Sequence, residues 1–153
     1  MREKMLAGDI CNRIVVIAER GLSLVQAAQL MRERHVGCLV VVDETAAGRL
    51  VVGMFTDRDI VTAVVANELD PTELTVGDVM SRELISVLED DSIKDMLVTM
   101  RRKGIRRLPV VKAHGVLIGL VTLDDLLAVM AEQLREIASV VETECLRERR
   151  ERA

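Results

Sequence analysis

Two short segments place a threonine three residues ahead of an aspartate: Thr56-Asp57-Arg58-Asp59 and Thr122-Leu123-Asp124-Asp125. A threonine at a helix N-cap accepts a hydrogen bond from the N–H of the third helical residue, and an acidic side chain at that residue reaches back to the cap. The pattern therefore reads first as a capping box, the device also present at Ser92-x-x-Asp95. It also stands at a helix mouth, where unpaired amide N–H groups point outward beside a carboxylate. A second group is Arg106-Arg107, preceded by Arg101-Arg102-Lys103. Guanidinium groups meet phosphate oxygens through forked donors, so two adjacent arginines suit a di- or triphosphate. Successive strand residues point to opposite faces, so the same run also reads as one solvated basic face.

Other chemistry is thinly represented. Cys11 and Cys38, with His35 and His114, could build a metal or redox site, but free cysteines and single histidines more often fill a core or a surface. Cys145 reads as an exposed thiol on a terminal helix. There are two histidines and three cysteines and no CxxC, which argues against a zinc ribbon or finger. No Ser/His/Asp or Cys/His spacing suggests a nucleophile, and no Walker or Gly-x-Gly-x-x-Gly loop occurs. The expectation is a protein that is not an enzyme and has no dedicated metal site.

The elements that would position these groups come from a repeat. Sliding the chain by 69 positions sets Gly8-Asp9-Ile10 on Gly77-Asp78-Val79, Ser23 on Ser92, Met31-Arg32 on Met100-Arg101, and Leu39–Val42 on Leu108–Val111. After a three-residue difference in a turn, Gly53-Met54-Phe55-Thr56 falls on Gly119-Leu120-Val121-Thr122. Each copy has a short apolar run (Val15–Ala18 or Leu84–Val87) and a helix capped at Ser23 or Ser92. Two β-branched runs follow, joined by a Gly-containing turn, and a second helix opens at the Thr-x-x-Asp pattern. The fold class is α/β (α+β): two β-α-β-β-α repeats packed as a pseudo-two-fold tandem. The expected boundaries are 6–67 for the first repeat, 68–75 for a linker containing Asp70-Pro71, 76–135 for the second repeat, and 136–153 for a helical extension and charged tail.

Val52-Gly-Met-Phe-Thr-Asp-Arg-Asp59-Ile60 and Ile118-Gly-Leu-Val-Thr-Leu-Asp-Asp125-Leu126 share one pattern, and Gly104-Ile-Arg-Arg-Leu-Pro-Val-Val111 precedes the second. These motifs resemble the cystathionine-β-synthase (CBS) domain family, and their tandem resembles a Bateman module of the stand-alone bacterial or archaeal type, over roughly residues 6–135. The resemblance implies a regulatory protein that binds an adenosine ligand: AMP, ADP or ATP, with NAD or S-adenosylmethionine as further candidates. It implies that Asp125 and Asp59 bond the ribose diol, which a carboxylate suits because it accepts from both hydroxyls. Thr122 and Thr56 would contact ribose or phosphate, Arg106, Arg107 and Arg58 the phosphates, and Ile105 and Val36 the adenine. In the first copy Gly37-Cys38 replaces Arg106-Arg107 and Val40 replaces Pro109, so two unequal sites are expected, with Asp125 ranked above Asp59. The rival readings are a ligand-free protein-interaction module and a metal- or thiol-based stress sensor using Cys11 and Cys38.

Composition narrows the partners. One Phe and no Trp or Tyr argue against aromatic stacking on single strands, and 21 basic against 25 acidic residues leave a net charge of -4. No nucleic acid or membrane partner is expected, because long apolar runs are absent and the N-terminus (MREKMLAGDI) carries no signal-like core. A cytoplasmic protein with reduced thiols is the expectation. Leu123, Leu127, Met130, Leu134, Ile137 and Val141 form a heptad seam. Either it packs on the chain's own core or it pairs with a second copy, and a homodimer acting on an unidentified regulated protein is expected.

Overall fold

Leu39-Val40-Val41-Val42 is apolar at every position, which suits a strand covered on both faces. That is where it lies in the computed structural model, which describes residues 5–152. Residues 1–4 of the N-terminal stretch read above, and Ala153 of the tail, fall outside the described residues. The first repeat contains α1 (Ala7–Ile10), β1 (Ile17–Ala18), α2 (Leu24–Arg34), β2 (Cys38–Thr45), β3 (Gly48–Thr56) and α3 (Asp57–Asp59). The second contains α4 (Val76–Val79), β4 (Val87–Leu88), α5 (Ile93–Lys103), β5 (Arg107–Val111), β6 (Leu117–Thr122) and α6 (Leu123–Glu151).

The β-α-β-β-α order is present in both halves. Each makes a three-stranded sheet, β1-β2-β3 or β4-β5-β6, with a parallel first pair and an antiparallel second pair. The repeat extends to irregularities: the register shifts between Val41 and Val42 in one sheet and at the matching Val110 and Val111 in the other. The first strands are shorter than the apolar runs suggest, since each meets its parallel neighbour over two residues only.

The second helices differ. After α3 the chain widens into a π-helix over Ile60–Val65, with Ala66 N–H donating to the Val61 carbonyl at 2.9 Å and Leu69 N–H to the Val64 carbonyl at 3.0 Å. In the second repeat α6 runs as a regular helix for 29 residues.

Alternation along the strands divides the core. Leu39 and Val41 face α2 together with Ala27, Met31 and Phe55, while Val40 and Val42 face the other sheet and join Val51 and Val111. The matching helix-side core of the second half holds Met96, Met100, Leu108, Val110, Val121 and Leu126. The two halves therefore share a sheet-to-sheet layer, which an isolated bridge between Leu50 and Val116 extends.

The short helices cross over. Ala7 and Cys11, from the start of the first repeat, are buried in the second repeat's core, and Val76 from α4 is buried in the first repeat's core. Backbone bonds hold both exchanges: Gly8 N–H to the Glu89 carbonyl (2.8 Å) and Asn12 N–H to the Leu120 carbonyl (2.9 Å) on one side. Gly77 N–H to the Arg20 carbonyl (2.9 Å) and Ser81 N–H to the Met54 carbonyl (3.0 Å) hold the other. Each half is completed by a segment that precedes the other half in sequence.

Candidate functional site

The crossing of α4 brings the segment after it to the wall of a cavity. Its volume is about 490 Å³, and three segments line it: the end of β3 with α3 (Gly53 to Asp59), the loop after α4 (Ser81 to Ile85), and the turn from α5 into β5 (Gly104 to Arg107). The first segment belongs to the first repeat and the other two to the second, so neither half alone contains the site.

Local chemistry sets each wall. α5 ends with Gly104 in the left-handed region (φ 65), and Ile105 N–H returns to the Met100 carbonyl at 3.0 Å. This is a Schellman-type stop, and it turns Ile105, Arg106 and Arg107 toward the cavity. On the facing wall Thr56 caps α3. Thr56 N–H donates to Asp59 Oδ2 at 2.8 Å, and Asp59 N–H donates to Thr56 Oγ1 at 3.2 Å. The capping box is thus formed, and it holds the Asp59 carboxylate at the cavity wall. The loop Ser81 to Ile85 is tied to the end of α5 by the Glu83–Lys103 ion pair.

Three arginines share the wall with three acidic residues, Asp57, Asp59 and Glu83. Arg106 reaches Asp124 at 3.5 Å with both side chains largely exposed, a weak contact in water. Arg58 and Arg107 make no ion pair among the described residues. Cys38 lies close enough to this wall to sense it: burial pushes its thiol up, while Arg107 pulls it back and Asp57 adds to the rise. A cavity lined by the hydroxyls of Thr56 and Ser81, the carboxylates of Asp57, Asp59 and Glu83, apolar Leu84, Ile85 and Ile105, and three guanidinium groups offers diol acceptors, an apolar surface and cationic groups together.

The structure regroups the residues singled out from sequence. Thr56, Arg58, Asp59, Ile105, Arg106 and Arg107 line one cavity. Thr122 and Asp125, ranked first from the sequence, do not line it. They form their own capping box, with Thr122 N–H donating to Asp125 Oδ2 at 2.8 Å and the Thr122 hydroxyl donating to the same oxygen at 2.9 Å. Val36 also stands apart, in a shallower depression of about 430 Å³ with His35, Asp57 and Ile60. The arginine pair thus shares its cavity with the Thr-x-x-Asp of the other repeat. Asp57, Ser81, Glu83, Leu84 and Ile85 also line the cavity; the apolar run Leu84–Val87 marks a strand start in the sequence, but nothing in it signals that the run reaches the first repeat.

Cys11 and Cys38 are not set out as a joint site. Cys11 lies in the second repeat's core and Cys38 begins β2, and both thiols are buried and pushed up by that burial. Among the described residues no cluster of three or more His, Cys, Asp or Glu side chains is arranged to hold a metal ion. No helix among them is long and apolar enough to cross a membrane.

The CBS domain family matches residues 7–66 and 76–132. Hypoxic response protein 1 of Mycobacterium tuberculosis is 38% identical over 120 residues, covering 78% of this chain and 81% of its own. An uncharacterised protein of Methanopyrus kandleri is 38% identical over 122 residues; the match covers 80% of this chain and 61% of that protein's length. A crystal structure of Hypoxic Response Protein I with two coordinated zinc ions superposes with a TM-score of 0.72 at 36% identity, covering 80% of this chain and 97% of that one. The CBS domain pair of protein MJ0100, in complex with 5′-methylthioadenosine and S-adenosyl-L-methionine, superposes with a TM-score of 0.72 at 25% identity, covering 85% and 98%.

Proposed function

The chain belongs to the CBS domain family as a tandem pair, a kind of module that is generally regulatory rather than catalytic, and on that premise we propose that it senses an adenosine-containing ligand in the cavity between its halves. The observation that carries this reading is the convergence of Thr56 and Asp59 from one repeat with Ile105, Arg106 and Arg107 from the other around a single cavity of about 490 Å³. Asp59 would take the ribose hydroxyls, Leu84, Ile85 and Ile105 the base, and Arg58, Arg106 and Arg107 a phosphate chain. AMP, ADP and ATP use the arginines most fully; of the ligands bound by the MJ0100 pair, S-adenosylmethionine offers them a single carboxylate and 5′-methylthioadenosine no anion.

A ligand held by both halves favours the arrangement in which both walls are in place. It shifts that equilibrium only by its difference in affinity for the two arrangements. The shift would reach a regulated partner protein, and free thiols at Cys11, Cys38 and Cys145 suit a cytoplasmic setting. The working form in this reading is a homodimer, which the exposed apolar residues of α6 support. Calorimetry with AMP, ADP, ATP, NAD, S-adenosylmethionine and 5′-methylthioadenosine tests the ligand. One adenosine compound binding one per chain is the expected result; no heat with any of them at millimolar concentration would leave the ligand-free interaction module as the better reading.

A further inference from the structure

Beyond its first turn α6 carries an apolar face that lies exposed among the described residues. Leu126 is fully buried in the second core, but Leu127, Met130, Leu134, Ile137 and Val141 are 45–65% exposed. Their steps alternate between 3 and 4, the spacing that keeps one seam facing a partner helix. The family match ends at residue 132, so Leu134, Ile137 and Val141 lie on an extension beyond it. Alanines at 131 and 138 flank it and permit close approach.

Charge decides the direction. The first turn of α6 carries Asp124 and Asp125, while the end carries Arg147, Arg149, Arg150 and Arg152 against Glu148 and Glu151. A parallel pair would set acidic start against acidic start, basic end against basic end, and Glu144 against its own copy along the seam. An antiparallel pair sets each acidic start beside a basic end and opposes the helix dipoles.

We infer that two copies associate through antiparallel pairing of α6 about a two-fold axis near Leu134 and Ile137. Leu134 packs on the partner's Ile137, Met130 packs on the partner's Val141, and the partner's Arg147 lies beside Asp124. This rests on the homodimer proposed above and adds its surface and direction.

The test uses the whole protein and needs no nucleotide. Light scattering at tens of micromolar gives the mass of a dimer, and the double variant Leu134→Glu/Ile137→Glu gives a monomer with unchanged helical circular dichroism. A spin label then reads direction, placed on the exposed Cys145 of the native chain or on Ala138→Cys in a Cys145→Ser background. Antiparallel helices separate the labels at 145 by roughly 20 Å more than those at 138, from seven residues on each helix at about 1.5 Å rise. Equal separations at the two positions would overturn the antiparallel arrangement while leaving a dimer. A dimer that survives the double variant would place the interface elsewhere. A monomeric native protein would end both this inference and the homodimer, and none of these outcomes bears on ligand binding.

Discussion

The backbone carbonyl of Ser81 stands 2.8 Å from the point where a β-carbon on Gly53 would lie. The same approach recurs on the other side, where the Asn12 carbonyl lies 2.7 Å from that point on Gly119. Both glycines occupy the second position of the repeated motif, so their role is to let the other half's leading segment cross against β3 or β6. An alanine at either position forces backbone apart, at a cost of about 1–3 kcal/mol. Gly53→Ala and Gly119→Ala should each lower the urea midpoint. Gly53→Ala should also weaken ligand binding, because Ser81 begins a cavity wall, while Gly119→Ala should leave affinity near the native value. Native urea midpoints for both would show that the crossings are loose.

Asp59 and Asp125 make nearly identical capping boxes, yet only Asp59 lines the cavity. Asp59→Asn keeps an acceptor for the Thr56 N–H and removes the charge. Losing charge-assisted bonds to ribose hydroxyls costs on the order of 1.5–3 kcal/mol, roughly ten- to over a hundredfold in affinity. Calorimetry should show that loss for Asp59→Asn and near-native binding for Asp125→Asn. The opposite ranking would move the ligand to the Thr122 side.

Arg58 and Arg107 have no ion-pair partner at the cavity wall. Binding should therefore tighten with phosphate count, and raising salt should weaken ATP more than adenosine. Arg107→Gln should remove part of that difference. An equal salt dependence for ATP and adenosine would return the arginines to a solvated basic face.

Burial raises the thiols of Cys11 and Cys38 above the ordinary value of 9.0. A group raised in the folded state contributes stability that is fully present below its unfolded value and is lost as pH rises through its folded value. Urea midpoints should therefore hold up to about pH 9 and fall above it, with a shallower fall in Cys38→Ala. Ellman's reagent at neutral pH should react quickly with Cys145, the exposed free thiol, and slowly with the two buried ones. Rapid reaction of all three thiols would revive the thiol-sensor reading.

Much of the architecture was legible because it is local. The capping boxes at Ser23, Ser92, Thr56 and Thr122 each depend on residues three apart, and all four form as the spacing implies. The Thr-x-x-Asp pattern marks where the first repeat's second helix opens but not its π form, since Ile60–Val65 gives no pattern that separates a wide turn from a regular one. The seam on α6 was legible as a period, but whether the chain's own core would cover it was not. The structure packs Leu123, the first seam residue, against the second core and leaves Leu127, Met130, Leu134, Ile137 and Val141 outside.

By itself the sequence determined the duplication, the order of elements, the two Thr-x-x-Asp caps, the arginine pair and the family. Those are properties of short windows and of similarity between windows, and both survive without a third dimension. Only the tertiary structure decided that Arg106 and Arg107 share a cavity with Asp59 rather than with Asp125. The reason is the exchange of short helices: Val76 is buried in the first core and Ala7 in the second, so each half is closed by the other's leading segment. That closure carries Ser81 to Ile85 across to β3, and it is driven by burial of apolar surface, which does not depend on sequence separation.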